Sequence, residues 1–438
     1  MAAVALLASC GDSAVSEGAG DTAVERAEPE TRDTAPVDTS PCGSPPPGSR
    51  LAALCALPPS PEPLIGDAVV VAPSPSLPEA VRSQTAHNNL DVEWHAGRLF
   101  MAVRTAPTHF ASPETTMFVV STADLDSWRF EGRFTLGTDV REPQLVSFPA
   151  GPGLDPGLTL TFAVLGTDPL AFQPQGSRRA VWLGPGRFGP AEEAFGGDLL
   201  PWRIKTLVGP DGATRLHAMG YTGGADIYEN DGDLIEVHWL SSVDGVTFGP
   251  AHGDDAIVLR GGASETDVVY EEDGGVTAVS RNEAGDAEGF GSLVCHAAAA
   301  SPMAWSCAHD PRKYDSPLLF RHKGKNWLVA RRNVTDSGHY DLNYDEKPLS
   351  EQYTQYQLDY WGKPKRCALW AVDSAALAVT HVQDLPSRGD TCFPERVELT
   401  QSVSLIFNYT SPLDGADPSW IDAQTGPTQV VYTSLQLN

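Results

Sequence analysis

The sequence contains no Cys-x-x-Cys string, no cluster of lysine and arginine, no sustained helical period, and no run near the ~18 apolar residues that a membrane helix requires. Each absence removes a class of protein. Without closely spaced cysteines a structural zinc site loses its usual ligands, and His95, His217 and His296 show no metal-ligand spacing either. Basic residues number 30 against 57 acidic ones, a net charge of −27. Such a chain repels phosphate, so no nucleic-acid partner is expected. No cofactor is expected beyond a structural calcium that the acidic balance would tolerate.

What is present begins with an apolar decapeptide, MAAVALLASC, ending in Leu7-Ala8-Ser9-Cys10. It resembles the lipobox of bacterial lipoprotein signals, which implies removal of residues 1–10 up to a lipidated Cys10, a membrane partner through that lipid, and a place in the bacterial cell envelope. Residues 11–63 are rich in Ser, Thr, Glu, Asp and Pro. They hold too little apolar surface to offset the entropy of ordering, and are expected to form an extended tether with a small island at Cys42 to Cys55. The other six cysteines fall in neighbouring pairs, Cys42 with Cys55, Cys295 with Cys307 and Cys367 with Cys392. Three disulfides are expected, consistent with an oxidising compartment.

Residues 64–438 form the folded domain, expected as a monomer. Short β-branched and aromatic runs alternate there with Gly, Pro and Asp turns, an all-β pattern. In YDSPLLFRHKGKNWLVARRN an apolar run meets a turn at Gly324 and returns, with Asp315 nine places before that glycine and Arg331 seven after it. Glu265 and Arg281 have the same offsets from Gly274, Arg104 follows Gly97 by seven, and Arg203 precedes Gly212 by nine. VREPQLVSF, with Arg141 and Pro143, and the strand opening at Pro394 complete six copies. Repeats of roughly fifty to sixty residues with about four strands each predict a six-bladed β-propeller, with five blades as the alternative. In a propeller the equivalent ends of the inner hairpins surround one axis, so Arg141, Arg203, Glu265 and Asp315 would line one funnel. Taken singly, Glu265 with Arg281 and Asp315 with Arg331 are ordinary cross-strand ion pairs.

Two further strings, Ser121 to Trp128 and Ser241 to Phe248, resemble the Asp box, S-x-D-x-G-x-T-W, of sialidases. With the order of charged residues, they make the region from Asn88 onward similar to the sialidase superfamily of six-bladed propellers. That resemblance implies exo-glycosidase activity on a carboxylated sugar. Three arginines would clamp the carboxylate, here Arg104, Arg281 and Arg331, since guanidinium forks match a carboxylate at two points. Tyr409 paired with Glu265 would be the nucleophile, and Asp139 the acid. His109, Phe110 and Phe172 would offer stacking surface, and NYTSPLDGADPSW a loop over the pocket.

Two other readings use the same strings. Five-bladed fructosidases and arabinanases employ three acids, for which Asp91, Glu142 of the Arg141-Glu142-Pro143 string and Glu265 stand in order, and their substrates are neutral furanosides. A propeller without turnover would instead be a surface carbohydrate-binding lipoprotein.

Overall fold

A computed structural model of the chain describes residues 40–148, 157–169, 171–209, 212–223 and 234–438. These residues form six antiparallel sheets, each counted from its inner strand outward. Blade I comprises Ala86–His95, Arg98–Ala106, Thr116–Thr122 and Arg129–Phe134; blade II comprises Asp139–Phe148, Gly157–Leu165 and Pro174–Gly184, edged by Arg187–Phe188 and Glu192–Ala194. Blade III runs Leu200–Val208, Thr214–Thr222 and Ile235–Ser242, with Gly249–Pro250 and Ile257–Gly261 outside; blade IV runs Ala263–Tyr270, Val276–Asn282, Gly291–Ala297 and Ser306–Asp310. Leu318–His322, Lys325–Asn333, Lys365–Asp373 and Ala378–Asp384 make blade V.

Blade VI closes the ring. Its inner strands Glu395–Thr400, Val403–Thr410 and Gln429–Gln436 come from the C-terminal part, and its edge from Leu64–Ile65 and Val69–Ala72. Leu64 registers against Gln436 and Val69 against Tyr432, so the two ends of the domain share one sheet. The architecture is the six-bladed one, and the five-bladed alternative is set aside.

The local features follow the residues that predicted them. The Lys323-Gly324 turn has φ of 44° and 79°, the two-residue geometry that suits the twist of a hairpin, and His322 registers against Lys325. Both Asp-box strings make the same turn. Thr122 Oγ1 accepts from Leu125 N at 2.9 Å and Ser242 Oγ from Gly245 N at 2.9 Å, while Asp124 and Asp244 each accept two further backbone N–H groups. All three disulfides join the expected cysteines.

Two features go beyond the expectations. The island expected at Cys42 to Cys55 is present and docks on the folded body: helix Arg50–Cys55, capped by Ser49, is tied by the Cys42–Cys55 disulfide, and buried Leu51 donates its N–H to Asp124 O at 3.0 Å. A few leucines and a disulfide suffice to dock a segment whose composition reads as polar. The rest of the expected tether, and Cys10, lie outside the described residues. One expectation is corrected: where no helical period is read in the sequence, helix Leu349–Trp361 is inserted between two strands of blade V. Its buried face is Tyr353, Tyr356, Gln357 and Tyr360, a helical stripe drawn in tyrosine and glutamine rather than aliphatic residues.

The inner strands are locked to one another by side chains. Leu145 N donates to Asp91, Ile204 N to Gln144 Oε1 at 2.8 Å, and Leu319 N to Asp267 Oδ2 at 2.6 Å, each bond passing from one blade to the next. Each inner strand of blades I to IV also carries a bulge, at Asn88/Leu90, Arg141/Gln144, Pro201/Arg203 and Ala263/Thr266. Bulges re-aim side chains, and here they fall at the strand ends that carry the charged residues.

Candidate functional site

The charged residues occupy two levels. Arg203 of blade III pairs with Glu395 of blade VI, on the opposite side of the ring, and donates to Pro317 O at 3.2 Å. Lys205 meets Asp267 at 2.7 Å, and Asp91, next to Glu395, is pushed well up by burial and by that neighbour. With Arg203 only 3% exposed, this level is a buried plug. Arg203, expected to line the funnel, is held there by Glu395 and Pro317 O, and Asp91 lies beside the same pair.

The other level holds the remaining candidates. Arg104 is wholly buried: Nε and Nη2 reach Asp139 Oδ1 at 3.0 and 2.7 Å, Nη1 reaches Asn88 Oδ1 at 2.6 Å, and Nη2 also meets Phe110 O at 3.1 Å. The fork of this expected clamp residue is thus bonded inside the protein. Asp139, the expected acid, takes Arg104, Arg141 and the Thr115 hydroxyl together. Burial alone would raise its pKa, but the two guanidinium groups hold it below the ordinary value. A proton donor needs the opposite shift. Arg141 bridges Asp139 and the carbonyl of His109, 2.7 Å away.

Glu265, Arg281, Asp315 and Arg331 do come together, as a chain of alternating charge. Arg281 lies 2.8 Å from Glu265, 3.2 Å from Glu283 and 3.8 Å from Asp315, and Asp315 lies 3.0 Å from Arg331. Asp315 thus stands between the two arginines that were to grip a ligand's carboxylate. Burial opposes its ionisation, yet Lys313, Arg331 and Arg281 bring it to about 2. Tyr409 donates to Asp390 Oδ1 at 3.1 Å, and Arg331 Nη2 lies 3.5 Å from its oxygen. The carboxylate partner of Tyr409 is therefore Asp390, whereas Glu265 accepts from Arg281 and from Ser316 N at 2.7 Å. Burial, with Asp390 adding to it, pushes the Tyr409 phenol well above its ordinary value.

Sequence reasoning passed over several partners. Asp390 holds His109 at 2.7 Å as well as Tyr409, and Lys313 pairs with Glu283 at 2.9 Å. The position of Asp390, two residues before a bridged cysteine, and of Glu283, two after Arg281 and so near the same rim, were the available signals. His109 faces Tyr409 and Trp420, with ring centroids 6.3 and 6.4 Å apart. Trp420, from the long blade VI insertion, also lies under the Arg331 guanidinium at 5.1 Å and meets the Tyr360 ring edge-on at 5.8 Å, so the polar loop NYTSPLDGADPSW does bring a wall to this level. Phe172 packs against the main core instead.

Glu142 differs from all of these. It sits on the blade II bulge at φ 53°, half-buried, and among the described residues no hydrogen bond or ion pair holds its carboxyl. Burial first, and Glu265 second, push it to about 7 against the pull of Arg141 and Arg281. A non-glycine residue at positive φ is uncommon and costs strain, which here directs an acid toward a group of charges. Among the described residues no group of histidine, cysteine or carboxylate side chains is arranged to hold a metal ion.

A protein of unknown function from Dyadobacter fermentans superimposes with a TM-score of 0.53 at 15% identity, covering 86% of this chain and 100% of its own. NanB bound to Optactamide gives 0.50 at 11% identity over 81% of this chain and 68% of its own, and the NanB sialidase of Streptococcus pneumoniae, in complex with a substituted ethanesulfonate, gives 0.49 at 10% identity over 81% and 69%. The likeness is one of fold. The blades of this chain carry a charge set in which Arg104 is internal and Tyr409 is matched to an aspartate. No protein-family model matches the sequence, and no curated protein matches it.

Proposed function

We propose that the funnel is the active site of a glycoside hydrolase in which Glu142 is the proton donor and Glu265 the opposing carboxylate. The carrying observation is the unpaired Glu142 carboxyl, raised to about 7 by burial and by Glu265. Such a group is still half protonated near neutrality, when an ordinary glutamate has lost its proton. Glu142 would give that proton to the leaving-group oxygen as the glycosidic bond breaks. Glu265, oriented by Arg281 and Ser316 N, would either attack the anomeric carbon or take a proton from the attacking water.

Charge balance favours a neutral glycoside over a carboxylated one. The level holds the carboxyl groups of Asp139, Glu142, Glu265, Glu283, Asp315 and Asp390 against the cations Arg104, Arg141, Arg281, Lys313 and Arg331. An arriving carboxylate would have to displace Asp315 from Arg281 and Arg331. A transition state with oxocarbenium character gains from the same acids.

A second reading keeps the sialidase chemistry with altered partners: Tyr409 as nucleophile, Asp390 as its base and Arg331 as the remaining anion contact, supported by the 3.1 Å and 3.5 Å contacts at the phenol oxygen. A panel of fluorogenic furanosides, pyranosides and a sialoside separates the two. Turnover of a neutral glycoside that Glu142→Gln abolishes supports the first. Turnover of the sialoside alone, lost in Tyr409→Phe and kept in Glu142→Gln, replaces it with the second. Binding of glycans with no turnover on any substrate leaves a surface carbohydrate-binding protein.

A further inference from the structure

Away from the funnel, a cleft of about 850 Å³ opens between the outer edges of blades I and II. Its walls carry Arg133 from blade I, Arg187 from blade II and Arg82 from the segment leading into blade I, together with the rings of Phe130 and Phe188. All three arginines are exposed, and among the described residues no carboxylate comes within ion-pair distance of any of them. In a chain with 57 acidic and 30 basic side chains an arginine has many acids to choose from, so three neighbours left without a carboxylate are unexpected. Glu79, also on the wall, bonds none of them.

The floor is built and not incidental. Glu131 is fully buried and accepts from Ser121 and Arg129 in its own blade, at 2.6 Å each. From blade II it accepts from Trp182 Nε1 at 3.1 Å and Gly186 N at 2.8 Å. These bonds fix the two blade edges relative to one another. Gly132 allows the close approach, since a Cβ there would lie 3.0 Å from the Phe188 ring. The cleft is therefore a held shape with a guanidinium on each side and half-buried aromatic faces between them.

We infer that this cleft binds a segment of anionic polysaccharide, carboxylated or sulfated, at a site separate from the funnel. Guanidinium forks suit carboxylate and sulfate oxygens. The phenylalanine rings offer apolar surface to the faces of sugar rings, and the open sides let a polymer pass through, as an enclosed pocket would not. Its position would hold a long acidic chain against the flank of the propeller whatever the funnel does to it.

The test is calorimetric titration of the full chain with a heparin-derived hexasaccharide, an oligogalacturonate of the same length, a neutral maltohexaose and inorganic sulfate. At least one anionic oligosaccharide should bind, the neutral one should not, and binding should weaken as salt screens the charges. Arg133→Ala/Arg187→Ala should weaken it at least tenfold with an unchanged melting temperature, and Arg133→Lys/Arg187→Lys should fall between that and the natural protein. Equal affinity in the alanine variant, tighter binding of maltohexaose, or sulfate binding as tightly as the oligosaccharides would each overturn the proposal, the last by reducing the cleft to a simple anion site. Because the readout is binding, a funnel with no hydrolytic activity would leave the result intact.

Discussion

Tyr360 donates its hydroxyl to Oδ2 of Asp315 at 2.5 Å, the same oxygen that Arg331 Nη1 holds at 3.0 Å. The helix inserted in blade V is thereby fastened to the charge chain of the funnel, and Trp420 packs on both Tyr360 and Arg331. Tyr360→Phe should keep the packing and lose the bond. A hydrogen bond to a charged group contributes about 1.5–3 kcal/mol, so denaturant unfolding should show a loss of that size, and KM should rise more than kcat falls.

The plug at the axis is a different case. Glu395→Ala would leave Arg203 buried without its partner, a change that costs about 3–5 kcal/mol. Replacing both by apolar residues of similar volume, Arg203→Met/Glu395→Leu, should recover most of the loss. Thermal melting of the three proteins checks this, and a double variant no better than the single one would show that the pair is needed for more than neutrality.

Glu142 makes two pH predictions. Its folded value of about 7 lies above the ordinary 4.5, so between these values the native state binds more protons than the unfolded chain. Its contribution to stability is therefore fully present below about pH 4.5 and is lost as pH rises through 7. Glu142→Gln should flatten that part of the stability profile and melt higher than the natural protein at pH 8. Hydrolysis, which needs the proton, should decline above pH 7 in the natural protein.

The Cys367–Cys392 disulfide ties blade V to the start of blade VI, beside Thr391 and Asp390, which bond Arg331 and Tyr409. The variant Cys367→Ser/Cys392→Ser should lose about 2–4 kcal/mol. It should also loosen the hold of Asp390 on Tyr409, read as a change in the tyrosine ultraviolet titration.

Much of the fold was legible because its grammar is local. Hairpin turns such as Lys323-Gly324, the Asp-box turns and the cross-strand pairs Glu265–Arg281 and Asp315–Arg331 each lie within about twenty residues, where spacing and side-chain type decide the outcome. The same was true of the cysteines. Helix Leu349–Trp361 escaped because tyrosine carries its buried stripe, and the docking of the expected Cys42–Cys55 island onto blade I because Leu51 and Asp124 meet only in the folded chain.

The site was less legible, for a reason that Arg104 makes plain. Its offset from a glycine matches that of Arg331, yet its neighbour across the blade boundary is Asp139, which consumes it. Offsets specify where along a strand a side chain falls, not which residue the next blade sets against it.

From the sequence alone came the all-strand class, the sixfold repetition, the disulfide partners and the ion pairs within hairpins, since all follow from neighbours along the chain. Tertiary structure alone decided that His109 meets Asp390 across 281 positions and Arg203 meets Glu395 across 192, that Glu142 finds no hydrogen-bond or ion-pair partner among the described residues, and that Arg82, Arg133 and Arg187 share a cleft. Ring closure brings those residues together, and the energy of a charge depends on the few groups within reach of it after closure.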